Sequence, residues 1–179
     1  MEQNQIKKAI EDNDKHVEDI KNKYAEKARK LFCSGYNCSQ SVFAAFAEDL
    51  GLDTQTALKL SSSFGGGMGR MREVCGAVSG MFMVAGLLYG YDSPIAQDDK
   101  ARHYKFIQGL AEEFKKRNGT NSIICRELLG ISVKTESYIP EKRTETYYKK
   151  RPCADIVSDA AEIISKYMDK AEGSDVIID

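Results

Sequence analysis

The stretch Val74–Tyr91 places eighteen residues without a charged side chain in the middle of a chain that is elsewhere rich in charge. A run of this length just reaches that of a membrane-spanning helix. Its four glycines, together with Ser79 and the lack of a second such run, favour a buried central helix instead. Gly76 and Gly80 lie four residues apart, so one face of that helix allows a neighbouring helix to approach closely. We therefore predict no membrane span.

Helical periodicity is also found in most of the remaining chain. Asn37 with Gln40 three residues later has the form of a capping box, Asp53 or Thr54 is suited to cap a further helix, and Asn118–Gly119 to end one. The predicted helices cover about residues 3–32, 37–50, 53–60, 75–90, 94–118, 121–130 and 152–167. The sequence thus predicts an all-α fold, a single-domain helical bundle of about six or seven helices over residues 1–179, with its core at about 25–170 and a buried glycine-rich central helix.

Residues 131–150 have no clear period, and we interpret them as a loop. A loop of this length without structure is unusual in a compact domain. We therefore expect this segment to cover another part of the molecule.

Charge and cysteine content narrow the class of function. The chain has 26 basic and 27 acidic residues and a formal net charge of -1, so no overall field favours nucleic acid or an anionic membrane. The charged N-terminus has no apolar core of a secretory signal, and we expect a cytoplasmic protein. Five cysteines in that compartment are kept as thiols, which favours catalytic, redox or metal-binding use over a disulfide framework.

Four of the five cysteines fall at predicted helix N-termini: Cys38, Cys75, Cys125 and Cys153. The unpaired N–H groups and the helix dipole favour negative charge there, so we predict a lowered pKa for all four thiols. Cys33 is the exception, because it lies near a predicted helix C-terminus, and we interpret it as an accessory or structural thiol.

The spacing of these four cysteines contains no C-x-x-C motif, so any cluster must be assembled by tertiary packing. Two chemistries remain open. Four thiolates can hold an iron–sulfur cluster or a zinc ion. Alternatively, two or more cysteines can cycle between dithiol and disulfide.

The segment "GGGMGRMREVCGAVSG" precedes and enters the uncharged run. A phosphate-binding loop is disfavoured, because no strand precedes it and no G-K-[ST] follows. We predict instead that its glycine backbone and a neighbouring helix close around Cys75, the cofactor-binding candidates being Gly65, Gly66, Gly67, Gly69, Gly76 and Gly80.

The segments "YNCSQSVFAAFAEDLGLD", "FGGGMGRMREVCGAVSGMFMVAGLLYG", "CRELLG" and "RPCADIVSDAAEII" together resemble the C_GCAxxG_C_C family of small, redox-active bacterial and archaeal proteins. The resemblance covers about residues 25–170. It implies that the family's named cysteines fall on Cys38, Cys75, Cys125 and Cys153, and its small residues on Gly76, Ala77 and Gly80. This chain reads Cys-Gly-Ala where the family label reads Gly-Cys-Ala. The resemblance implies a redox role and an unidentified redox partner.

A binding module is the alternative function, with structural cysteines and a pocket for a small anion or a partner protein between the glycine-rich segment and residues 131–150. The candidate cations are Arg70, Arg72, Arg143, Lys149, Lys150 and Arg151. A solvated surface explains these charges as well. The apolar central helix is also compatible with a homodimer.

Overall fold

The computed structural model describes residues 15, 18–20, 23–132 and 137–168. Within these residues the regular structure is helical and contains no sheet, so the prediction of an all-α fold is confirmed. The helix predicted for residues 3–32 is described in part: residues 15, 18–20 and 23–33 are helical, and the rest of the prediction lies outside the described residues.

Six helices of at least eight residues and three short ones follow one another in the described part of the chain. They are α1 (residues 23–33), α2 (Cys38–Phe46), α3 (Thr54–Ser61), α4 (Gly65–Met68), α5 (Gly76–Tyr89), α6 (Gln97–Asn118), α7 (Cys125–Leu128), α8 (Glu145–Lys150) and α9 (Cys153–Ser165). A short 3₁₀ turn, Ser62–Phe64, joins α3 to α4.

Helix α5 is the central helix of the bundle and packs against α2, α9 and α6. Its first six residues, 76–81, are all buried, and among them Val78 and Met81 are fully enclosed. Phe46 of α2 and Ile164 of α9 belong to the same core. Burial on most sides explains why the α5 sequence is apolar all round. Within the described residues, no helix is both long enough and apolar enough to cross a bilayer.

Two predicted helix starts are wrong. The helix predicted to begin at Asn121 or Ser122 begins at Cys125, because the chain before it is extended and Ile124 forms a β-bridge with Val74. The helix predicted from Pro94 begins at Gln97.

The third wrong prediction is the structureless loop at 131–150, which contains helix α8. Thr144 caps this helix by accepting a hydrogen bond from Tyr147 N at 3.2 Å. Tyr148 packs edge-on against Phe32 of α1, with ring centroids 5.8 Å apart. These aromatic contacts hold the described part of the segment, residues 137–150, against α1 and above the N-terminal ends of α2 and α9.

Candidate functional site

The four cysteines Cys38, Cys75, Cys125 and Cys153 each lie where a helix begins. Cys38, Cys125 and Cys153 are the first residues of α2, α7 and α9, and Cys75 is the N-cap of α5. Their side chains are close enough for each pKa to depend on at least one of the others. We call these four residues the cysteine cluster. Cys33 lies apart from it, exposed at the end of α1.

The close crossing of α2 and α5 brings Cys38 beside the start of α5. A Cβ atom at Gly76 would lie 3.2 Å from Cys38 Cβ and 2.9 Å from the Phe64 carbonyl oxygen. One turn later, a Cβ at Gly80 would lie 2.8 Å from the Ser39 carbonyl oxygen. Only glycine therefore allows the two backbones to come this close.

Backbone pairing joins the Cys75 segment to the Cys125 segment. Cys75 N donates to Ile123 O at 2.8 Å, and Cys125 N donates to Glu73 O at 2.7 Å. These bonds flank the Val74–Ile124 bridge. These backbone hydrogen bonds hold the two cysteines on adjacent extended segments, although 49 residues lie between them in the sequence.

Gly67 of the glycine-rich segment packs directly against Cys125. Its φ is +67°, and a Cβ there would lie 2.6 Å from Cys125 Cβ and 2.9 Å from Glu73 N. The glycine-rich segment therefore packs closely against Cys125 at Gly67, and against Cys38 at Gly76.

A cavity of about 200 Å³ lies beside the cysteine cluster, and Cys38, Cys125 and Cys153 are part of its wall. We call it the cysteine cavity. Cys75 is only 5% exposed and is not part of the wall. The lining residues are Asn37, Cys38, Ser62, Gly65, Gly66, Arg70, Arg72, Cys125, Leu129, Pro140, Glu141, Arg143, Tyr147, Arg151 and Cys153.

Cys38 and Cys153 are an interacting pair of thiols in this wall. The neighbouring Cys38 thiol lowers the pKa of Cys153, and the charges of Arg151, Arg143 and Arg72 lower it further, against the effect of burial. The neighbouring Cys153 side chain, followed by burial, raises the pKa of Cys38 well above its ordinary value. Cys153 is therefore the sulfur of this pair that ionises first.

The prediction that all four thiols have a lowered pKa is wrong for three of them. Burial raises the pKa of Cys75 to about 12. Burial also raises the pKa of Cys125, although Arg72 lies against it with Nη1 3.8 Å from the sulfur and opposes the change. Removal from water outweighs the helix N-terminus at these positions.

The predicted cations divide into two groups. Arg70, Arg72, Arg143 and Arg151 line the cysteine cavity, whereas Lys149 and Lys150 do not. Lys150 instead lines a neighbouring cavity of about 340 Å³. The predicted glycines divide likewise: Gly65 and Gly66 line the cysteine cavity and Gly69 does not.

Two lining residues that sequence reasoning missed are Glu141 and Tyr147. Glu141 accepts a hydrogen bond from Arg151 Nη2 at 2.6 Å. The Tyr147 ring lies 4.7 Å from the Arg143 guanidinium carbon and 4.9 Å from that of Arg151. The sequence carries no local motif for either residue, since the period of so short a helix as α8 is not visible.

Metal ligation requires several donor atoms around one point. Within the described residues, no three His, Cys, Asp or Glu side chains are placed to hold a metal ion together. In this arrangement three thiols of the cysteine cluster line one cavity, Cys75 lies buried beside it, and no three of the four are placed to bind one metal ion.

Comparison with known proteins gives one finding. The sequence model of the family described as "Putative redox-active protein (C_GCAxxG_C_C)" matches residues 36–167, which include the whole cysteine cluster. No curated protein and no solved structure matches the chain. Because the match spans well over half of the sequence and agrees with the resemblance noted from its motifs, the chain belongs to the C_GCAxxG_C_C family.

Proposed function

We propose that the protein transfers electrons by thiol–disulfide exchange, with Cys153 as the attacking thiolate and Cys38 as the resolving thiol. The observation that carries the proposal is that Cys38 and Cys153, the first residues of α2 and α9, line the same cavity. The two thiols lie close enough for each to shift the pKa of the other, and the two shifts have opposite directions. A thiolate next to a protonated partner thiol is the arrangement that disulfide exchange uses.

The proposed reaction has two steps. The Cys153 thiolate attacks one sulfur of an acceptor disulfide; the S–S bond of the acceptor breaks, and its other sulfur leaves as a thiolate. Cys38 then loses its proton and attacks Cys153, so that the second acceptor sulfur leaves and a Cys38–Cys153 disulfide forms. Two electrons pass from the two protein thiols to the acceptor, and two protons end on its thiols.

The other two cysteines of the cluster have a different part in this proposal. Burial keeps Cys75 and Cys125 protonated near neutral pH, because their pKa values are raised. They do not compete with Cys153 as nucleophiles. Cys125 lines the same cavity as Cys153 and is therefore a candidate for a second disulfide partner.

Disulfide formation should also stabilise the fold. A Cys38–Cys153 bond would close a loop from residue 38 to residue 153, most of the chain. The entropy model for so long a loop gives about 5 kcal/mol at 25 °C. The oxidised protein should therefore unfold at a higher urea concentration than the reduced protein, and Cys38→Ser should abolish that difference.

The experiment uses full-length protein purified without oxygen, together with Cys→Ser variants at all five positions. After mild oxidation by a small disulfide, peptide mapping should find the Cys38–Cys153 bond. Cys33→Ser is the matched control and should leave the bond unchanged. Cys153→Ser should abolish oxidation, and Cys38→Ser should trap the mixed disulfide on Cys153.

Metal and acid-labile sulfide are measured on the same preparation. Stoichiometric iron and sulfide that depend on Cys38, Cys75, Cys125 and Cys153 but not on Cys33 would replace this proposal by the cluster-ligand function. Metal-free protein whose thiols remain unreactive towards the disulfide would contradict both.

A further inference from the structure

Four arginines lie in the wall of the cysteine cavity: Arg70, Arg72, Arg143 and Arg151. Of these, Arg151 is paired with Glu141. The charges of Arg151, Arg143 and Arg72 reach the Cys153 sulfur, since all three lower the pKa of this thiol. Cations beside the sulfur attract an anion to it.

Arg143 has the clearest capacity to bind a ligand. Its guanidinium carbon lies 4.7 Å from the ring centroids of both Phe32 and Tyr147, so that stacking between aromatic rings fixes the group. Nη2 donates to the Tyr36 carbonyl oxygen at 3.4 Å. Nη1 is buried and has no hydrogen-bond partner among the described residues. A buried donor without a partner is costly to the fold, and an oxyanion would satisfy it.

The space around Arg143 and Arg151 suits a small molecule. The cysteine cavity measures about 200 Å³ and shares Leu129, Glu141, Tyr147 and Arg151 with the neighbouring cavity of about 340 Å³. Residues 140–151 supply much of the wall of both cavities. A ligand with its anionic end at Arg143 thus has room for a short organic chain.

We propose that the cysteine cavity binds a low-molecular-weight disulfide that carries a carboxylate, with the carboxylate at Arg143 and Arg151 and the disulfide at Cys153. This inference rests on the thiol–disulfide function proposed above and names its acceptor. The guanidinium fork matches the two oxygens of a carboxylate. The reaction balances as before: one S–S bond of the acceptor breaks, the Cys38–Cys153 bond forms, and the acceptor leaves as two carboxylate-bearing thiols.

The test compares three disulfides of similar length and different charge. They are dithiodipropionate, which is anionic, hydroxyethyl disulfide, which is neutral, and cystamine, which is cationic. The rate constant for oxidation of the reduced full-length protein is measured with each. The ratio of the anionic to the neutral rate constant is the readout, because a change in the thiolate fraction of Cys153 affects both rates equally.

Arg143→Met should lower this ratio about tenfold, the loss expected for a charged hydrogen bond. Arg143→Lys keeps the charge but not the fork, and should give an intermediate ratio. Arg102→Met is the matched control, since Arg102 lies on the surface beside Asp99 and away from the cavity. Its ratio should equal that of the wild type. Circular dichroism checks that each variant is folded.

Two results would overturn the carboxylate site. One is a wild-type protein that reacts with the three disulfides in proportion to their reactivity towards a free thiol. The other is an Arg143→Met ratio unchanged from the wild type while Cys38–Cys153 still forms. In both cases the thiol–disulfide function would stand and only its acceptor would be wrong.

A separate arm does not depend on disulfide chemistry. Alkylation of Cys153 by iodoacetate and by iodoacetamide forms an S–C bond and releases iodide in both cases, and only the first reagent carries a carboxylate. Arg143→Met should lower the iodoacetate-to-iodoacetamide ratio at Cys153 and leave the ratio at exposed Cys33 unchanged. Acetate should compete with iodoacetate; competition by sulfate alone at equal ionic strength would contradict a carboxylate site and indicate an inorganic oxyanion.

Discussion

Replacing Gly67 with alanine tests whether the glycine-rich segment supports the cysteine cluster by close contact. The added Cβ would lie 2.6 Å from Cys125 Cβ, 2.9 Å from Glu73 N and 3.0 Å from Arg72 C. Two of these atoms are backbone and the third is attached directly to it, so no flexible side chain can move aside. Helix α7 or the Arg72–Cys75 segment must shift.

The magnitude has two parts. The φ of +67° is strained for alanine by about 1–2 kcal/mol. Overpacking adds about 1–3 kcal/mol. We therefore expect Gly67→Ala to lower the free energy of unfolding by about 2–5 kcal/mol.

Gly69→Ala is the matched control for the backbone strain. Its φ is +61°, similar to that of Gly67, but the nearest atom to an added Cβ is the Ser63 carbonyl oxygen at 3.9 Å. This variant should lose only the strain of about 1–2 kcal/mol. Urea denaturation under reducing conditions measures both values.

A second readout follows from the hydrogen bond between Cys125 N and Glu73 O, which the shift in Gly67→Ala would lengthen. Alkylation of Cys125 should then be faster in Gly67→Ala than in Gly69→Ala. Equal losses of stability and equal alkylation rates would refute the close contact and with it the structural role of Gly67.

Three further predictions concern the same site and the helix that supports it. Gly86→Ala should raise the free energy of unfolding by about 0.5–1 kcal/mol, since nothing lies within 4 Å of its Cβ, whereas Gly80→Ala should lower it by about 1–3 kcal/mol in the same urea assay. Arg151→Met should raise the pKa of Cys153, because a neighbouring cation is lost, and Arg151→Lys should raise it less. Titration of the Cys153 thiolate by ultraviolet absorbance measures the pKa in each variant. Equal pKa values for wild type and Arg151→Met would contradict the stabilisation of the thiolate by Arg151. The pKa of Cys75 is raised to about 12 in the folded protein, so the unfolded chain releases this proton first as the pH rises. Between pH 9 and pH 12 the wild type should therefore lose about 3 kcal/mol more stability than Cys75→Ala. Parallel pH profiles would show that burial does not hold the proton.

The N-termini of α2 and α3 could be predicted from local signals, because capping acts over a few residues. Asn37 accepts hydrogen bonds from Ser39 N and Gln40 N, and the Gln40 side chain accepts from Asn37 N, as the capping box predicted. The central helix α5 begins and ends within a residue of its predicted limits. Its lack of charge and its glycine ends are local features too.

Elements that depend on distant contacts could not be predicted. The start of α7 is set by hydrogen bonds to Glu73 and Arg72, far away in the sequence. Helix α8 has six residues, fewer than two turns, and therefore shows no period. Its position follows from the stacking of Arg143 and Tyr147, which the sequence places four residues apart without indicating what they pack on.

The pKa values of the cluster show why a shared local placement does not give a shared chemistry. A helix N-terminus contributes about 0.3–1 kcal/mol, less than one pKa unit, whereas full burial of a charge changes a pKa by up to about 3–5 units. Cys75 and Cys153 both lie at helix N-termini, but Cys75 is enclosed by the core and Cys153 faces three arginines. The environment at the end of each side chain therefore decides its protonation.

Protonation of three cysteines is also what allows the fourth to ionise. A second thiolate in the cluster would repel the first, and such repulsion is among the causes that raise the pKa values of Cys38, Cys75 and Cys125. Cys153 is the exception because the neighbouring Cys38 thiol and the arginine charges stabilise its thiolate. Once Cys153 is consumed in a mixed disulfide, its negative charge is gone and Cys38 can lose its proton more readily. The difference in pKa between Cys153 and Cys38 thus makes Cys153 the attacking sulfur, and the loss of the Cys153 charge then favours ionisation of Cys38 as the resolving thiol.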